Sequence, residues 1–145
     1  MNESGLLLID KRPGMTSFDV IRELKRTLGR TDLGHGGTLD KFASGLLPIF
    51  FGEGLKLVRF FQENHPHLST HWKSYTAEVY LGRSTETGDP EGAVSAEIPV
   101  PNSVSRETIA AALQSFTVGT YEQTPPQYSA KKVDGARASD LARKG

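Results

Sequence analysis

The sequence predicts an α+β domain with a mainly antiparallel sheet, on three observations. Strand-like and helix-like segments are mixed without the strict alternation of a parallel βαβ chain. Tyr75 to Leu81 alternates between faces, with Tyr75, Ala77, Val79 and Leu81 on one side and Thr76, Glu78 and Tyr80 on the other. A second strand-like run, Ala93 to Val100, returns after the turn-rich Ser84 to Gly92, as a partner strand does.

In chain order, Gly5 to Asp10 is an apolar run bounded by turn formers and reads as a short buried strand. Lys11-Arg12-Pro13-Gly14 ends it, because Pro-Gly is strong turn punctuation. Thr16 with Asp19 has the form of a capping box and opens a helix. Ile21, Leu24 and Leu28 form the inward stripe of that helix, and Gly29 stops it. Leu46 to Phe51 is a second buried strand or extended segment. Gly54 to Phe61 is a helix with Leu55, Val58 and Phe61 inward. Gln62 to Trp72 is polar and reads as a surface loop. After the alternating pair, Ser105 caps a helix through Ala110, Ala111, Leu113 and Phe116 that ends near Gly119. Gln123-Thr124-Pro125-Pro126 is extended, Gln127 to Val133 is strand-like, and Ala136 to Lys144 starts a helix. That last helix breaks off at Gly145 with no closing strand, so the reading expects a fragment.

With 145 residues the chain fits one domain, residues 1–145, with a real core. It has 17 Lys+Arg against 17 Asp+Glu, so no global basic field marks it as a nucleic-acid binder. The charge is nevertheless uneven. Arg22, Lys25, Arg26 and Arg30 crowd the first helix, and Lys131, Lys132, Arg137, Arg143 and Lys144 crowd the C-terminal segment. Between them lie Glu86, Asp89, Glu91, Glu97 and Glu107. Basic ends around an acidic middle suit either a local phosphate-binding face or two solvated helix faces. Cysteine is absent, which removes disulfides, thiolate nucleophiles and Cys-based zinc sites and suits a reducing cytoplasm. Leu6 to Ile9 is too short for a signal-peptide core, and no run reaches membrane-spanning length. A soluble, cytoplasmic protein is expected.

Candidate chemistry centres on Gly34-His35-Gly36-Gly37-Thr38-Leu39-Asp40, which runs on through Lys41-Phe42-Ala43-Ser44-Gly45. Glycines at this density let the backbone turn tightly and approach a ligand closely, at an entropic cost that a plain turn avoids. Asp40 on such a loop reads as a nucleophile or general base, or as a carboxylate that only caps a helix or closes a turn. His35 could orient substrate, contact phosphate or act as an acid, or simply bond a backbone carbonyl. His65, His67 and His71 resemble a metal tract by composition, but no cysteine or carboxylate pair completes it, and a metal is rejected. The glycines lack the Lys-Ser/Thr ending of a Walker loop and the spacing of a dinucleotide fingerprint. No serine nucleophile elbow is present. Tyr75 reads by default as core packing, with base stacking as the functional alternative.

Residue order then resembles a known family. Leu7-Leu8-Ile9-Asp10-Lys11, Gly14-Met15-Thr16-Ser17, Gly34-His35, Gly37-Thr38-Leu39-Asp40 and Ala43-Ser44-Gly45-Leu46-Leu47-Pro48 resemble the TruB family of RNA pseudouridine synthases. Lys73-x-Tyr75-x-Ala77, Leu81-Gly82, Thr85-x-Thr87-x-Asp89-x-x-Gly92 and Gln123-x-Pro125-Pro126-x-Tyr128-Ser129-Ala130-Lys131-Lys132 agree in the same order. The resemblance implies a pseudouridine synthase fold, a central mixed and mainly antiparallel sheet flanked by helices. It implies isomerisation of a T-loop uridine of tRNA by a monomer that needs no metal, cofactor or protein partner. It places Asp40 at the catalytic carboxylate, Tyr75 at the aromatic that stacks on the target base, and His35 at the histidine that holds the flipped-out RNA. Lys11 and Thr38 join the RNA-binding set, and Lys11 with Gly14 packs behind the active-site loop. Three departures stand out: Gly36 where many members carry Thr, Lys41-Phe42 in place of Pro-Leu, and a longer link over Gln62 to Trp72. The resemblance also implies that the catalytic domain continues past the position of Gly145, with a second tyrosine, an arginine partner for the aspartate, closing strands and an RNA-binding domain. A silent RNA-binding or tRNA-chaperone remnant is therefore the alternative to an enzyme.

Overall fold

In the computed structural model the described residues are 3–62, 73–117, 132–133 and 136–137. The chain divides into two compact units, Met1–Thr76 and Ala77–Gly145.

The first unit is built on β1 (Gly5–Lys11), α1 (Ser17–Leu28), β2 (Leu33–His35) and β3 (Gly45–Phe51). β3 lies centrally, antiparallel to β1 on one side and to β2 on the other, with Leu7 opposite Ile49 and His35 also opposite Ile49. One face of this sheet carries Leu7, Ile9, Leu33, Leu47, Ile49 and Phe51. It buries against Val20, Ile21 and Leu24 of α1. Strand alternation and helical spacing thus meet in one core. α1 opens with the expected capping box, in which Thr16 Oγ1 accepts from Asp19 N–H (3.1 Å) and Asp19 accepts from Thr16 N–H (2.9 Å). It ends at Gly29 with φ +63°, the left-handed geometry that favours glycine. The inward stripe sits earlier than expected. Ser17, Val20 and Ile21 are buried, whereas Leu28 is 47% exposed, one turn beyond the sheet's reach.

The predicted helix over Gly54 to Phe61 is a 3₁₀ turn, Gly52–Leu57, followed by the short α2 (Val58–Gln62). Phe61 from α2 meets Phe50 edge-on, with centroids 4.9 Å apart, on the outer side of the sheet.

Two expectations about strands are corrected. Residues 73–80 have no ladder partner among the described residues and form no strand. Alternation alone specifies faces; a strand also needs a neighbour to bond to. In the second unit β4 (Arg83–Thr85) takes that neighbour, pairing antiparallel with β5 (Val94–Glu97). The turn between them is closed from within, since Thr85 Oγ1 donates to Asp89 O (2.7 Å) and Thr87 Oγ1 to Asp89 Oδ1 (2.7 Å). Ser105 precedes α3 (Arg106–Thr117) as expected, accepting from Thr108 N–H (3.3 Å). Ala136 does not begin a helix. It pairs in β7 (Ala136–Arg137) with β6 (Lys132–Val133). The expected loop after Gln62, with His65, His67 and His71, lies outside the described residues, as do the extended 123–126 and the rest of the C-terminal segment. The α+β class holds, with the pairings among the described residues antiparallel and divided among three small sheets.

Candidate active site

The loop from Gly36 to Ser44 is suspended between two strands and fastened from below by the N-terminal strand, turn and helix. Gly36 N–H donates to Pro48 O (2.9 Å), extending the β2–β3 pairing one step past His35. Gly36 is buried, and a Cβ there would sit 2.7 Å from the Phe50 ring. Packing in this chain therefore favours glycine at that position.

The fastening involves three residues. Ser17, buried at the start of α1, both donates to Leu39 O (3.2 Å) and accepts from Leu39 N–H (3.0 Å). The Leu39 side chain packs against the core, so the residue before Asp40 is held by main chain and side chain alike. Gly14 N–H donates to Lys41 O (2.8 Å), fixing the residue after it. Lys11, at the end of β1, is only 1% exposed. Its Nζ donates to the carbonyl oxygens of Arg12 (3.1 Å), Met15 (2.7 Å), Lys41 (3.4 Å) and Ala43. A buried ammonium is tolerable because carbonyl oxygens replace its water shell.

Asp40 is consequently gripped on both sides while its own carboxylate is exposed. The 40–43 turn is closed by main chain, Ala43 N–H to Asp40 O (3.2 Å). Among the described residues the carboxylate engages no donor, so turn closure is not its use. Thr38 is exposed two residues earlier. His35 is half-buried in β2, with Nδ1 withdrawn from solvent.

The structure brings His35, Thr38, Asp40 and the Lys11 ammonium onto or beneath one loop. Lys11, expected among the RNA contacts, is turned wholly inward, and its geometry is that of a clamp behind the loop. Tyr75 is 71% exposed in this chain and is not among its buried core residues. Sequence reasoning does not single out Ser17 as a site residue. A signal for it is present, since a serine heads the apolar stripe Val20, Ile21, Leu24 at helical spacing.

A second fastening sits at the far end of β2. Arg30 donates to Asp32 through Nε (3.0 Å) and Nη2 (2.7 Å), and to Glu3 O (2.9 Å). Asp32 in turn accepts from Gly52 N–H (3.0 Å). The Arg30 guanidinium holds the Asp32 carboxyl down at about 2.

Among the described residues no helix is long and apolar enough to cross a membrane. No trio of His, Cys, Asp or Glu among them converges as a metal site.

Residues 25–145 match the family described as TruB family pseudouridylate synthase (N terminal domain). The chain is 40% identical over 142 residues to tRNA pseudouridine synthase B of Streptococcus pneumoniae, covering 98% of this chain and 46% of that protein. It is 41% identical over 141 residues to the protein of the same name from Geobacillus thermodenitrificans (97% and 44%). With that from Lactococcus lactis subsp. cremoris it shares 39% over 147 residues (100% and 42%). The chain thus spans less than half the length of these relatives. A family match over most of the chain, on top of a glycine loop clamped around an exposed carboxylate, leads to one conclusion: the chain belongs to the TruB family of pseudouridylate synthases.

Proposed function

We propose that this chain carries the catalytic loop of a cytoplasmic tRNA pseudouridine synthase that isomerises a T-loop uridine, the position-55 uridine of tRNA, with Asp40 as the catalytic carboxylate. The supporting observation is the grip on Asp40. Ser17 holds the residue before it, Gly14 and Lys11 hold the residues after it, and the carboxylate is left exposed and unengaged. A catalytic group is worth most when its position is fixed before substrate arrives.

The isomerisation breaks the N1–C1′ bond, turns the uracil over and forms C5–C1′; N1 gains a proton and C5 loses one. A carboxylate can serve by adding to C1′ or to the base, or by removing the C2′ proton on a glycal route. The atoms balance without oxidant or co-reactant. The base must leave its stack to be reached, which suits an exposed aromatic such as Tyr75 and a close-approaching glycine loop. Thr38 lies on that loop and His35 in β2 at its entry; both are assigned to the RNA, and Lys11 to the loop itself.

The test is chemical mapping of pseudouridine in a T-loop hairpin incubated with this protein and with Asp40→Asn. One modified uridine with the parent and none with the variant is the expected result. Modification that survives Asp40→Asn removes the site assignment. Binding without modification by the parent favours the silent RNA-binding reading.

A further inference from the structure

Lys73 reaches the glycine run from the segment that also carries Tyr75. Its Nζ stands 3.9 Å from where a Cβ on Gly37 would be, within the same unit as the loop. Lys73 is exposed, and among the described residues its ammonium makes no hydrogen bond or ion pair. Gly37 presents bare main chain beneath that charge, so a ligand can come up to the backbone there. Three residues on is the exposed Asp40.

These placements raise an electrostatic problem. An RNA strand that offers a nucleotide to Asp40 brings its phosphates close to a carboxylate of like charge. Near a protein surface, where the effective dielectric is below that of water, such repulsion opposes binding. A cation seated over the neighbouring glycines offsets it, and a lysine ammonium is a suitable point charge for a phosphate. We propose that Lys73 and the Gly37 backbone form a phosphodiester subsite that seats the RNA linkage flanking the target nucleotide beside Asp40. The proposal rests on the RNA-modifying reading of the Asp40 loop, and it makes Lys73 an RNA-binding residue.

The test measures affinity for a T-loop hairpin in the turnover-free Asp40→Asn background, across a potassium chloride series. Lys73→Gln and Lys73→Arg are each compared with the parent. A second hairpin carries an uncharged methylphosphonate at the linkages flanking the target uridine. Lys73→Gln is expected to weaken binding ~5–10-fold at low salt and to lower the slope of log K against log[salt] by ~0.7–0.9, the loss of one phosphate contact. Lys73→Arg keeps most of the affinity. On the methylphosphonate hairpin, Lys73 and Lys73→Gln bind alike. An unchanged salt slope overturns the proposal, as does an equal loss on charged and uncharged linkages. In the Asp40-containing protein, a shifted acid limb of the rate–pH profile with the slope intact makes Lys73 a counter-ion of Asp40, which also overturns it. Failure of the catalytic reading shows separately, as absence of pseudouridine, and leaves the binding slopes readable.

Discussion

Lys11 carries more of the loop's structure than any other side chain, and its removal is the sharpest residue-scale test. Lys11→Met keeps the stem and deletes the ammonium, leaving the carbonyls of Met15, Lys41 and Ala43 without this donor. Charge-assisted hydrogen bonds contribute about 1.5–3 kcal/mol, so a loss of about 2–3 kcal/mol is expected as a lower urea midpoint at unchanged m. An unchanged midpoint would show the clamp to be idle. Ser17→Ala removes two bonds to Leu39 and is expected to cost about 1–2 kcal/mol. Under the proposed function its effect on pseudouridine formation is expected in kcat, not in RNA affinity, because Leu39 adjoins Asp40 and its bonds to Ser17 hold the loop. A rise in KM alone would place Ser17 in binding. Neither role could be read from residue type. A lysine in sequence reads as solvated, and only the closure of the 40–43 turn over the end of β1 buries this one.

Secondary-structure elements were legible where their signals were local. The strand expected over Gly5 to Asp10, the capping box at Thr16 and the Gly29 stop depend on neighbours within a few residues, and the structure has them, the strand one residue longer. β2 depends on a distant partner. Leu33–His35 has a glycine at its centre, and it pairs because β3 offers an edge and Leu55 fills the space a Gly34 side chain would take. The 73–80 segment is the reverse case, with clear alternation and no partner among the described residues. Two predictions belong to these elements. Gly36→Thr drives a Cβ into the Phe50 ring and is expected to cost about 1–3 kcal/mol by overpacking. Phe50→Leu in the same chain is expected to recover part of that loss, a coupling that additive costs would refute. The Arg30–Asp32–Gly52 clasp gives an acid dependence. The folded carboxyl titrates at about 2 against an ordinary 3.8, so its contribution is complete above pH 3.8 and is lost as pH falls toward 2. Asp32→Asn should flatten the stability–pH curve in that window while leaving its shape above it unchanged.

Across the whole molecule, burial is concentrated in one of the two units. Every buried side chain among the described residues lies in the first, around Ile21, Leu47 and Ile49. The side chains described over residues 77–117 include none, and α3 leaves Leu113 and Phe116 largely exposed. Local stability follows buried apolar contact, so the two units are expected to open independently in free-energy scale. In native-state hydrogen exchange, amides of β1, β3 and α1 should be protected more than ~100-fold beyond those of β4, β5 and α3. α3 is the informative element. It has the same 12-residue length as α1, and among the described residues only α1 packs on a buried core, so a difference between them isolates what packing adds to a helix. Equal protection would require the apolar residues of α3 to be covered in solution. Sedimentation over a concentration series then identifies the cover: protection that falls on dilution, together with a falling mass, assigns it to a second copy of the chain, and protection independent of concentration assigns it to the chain itself.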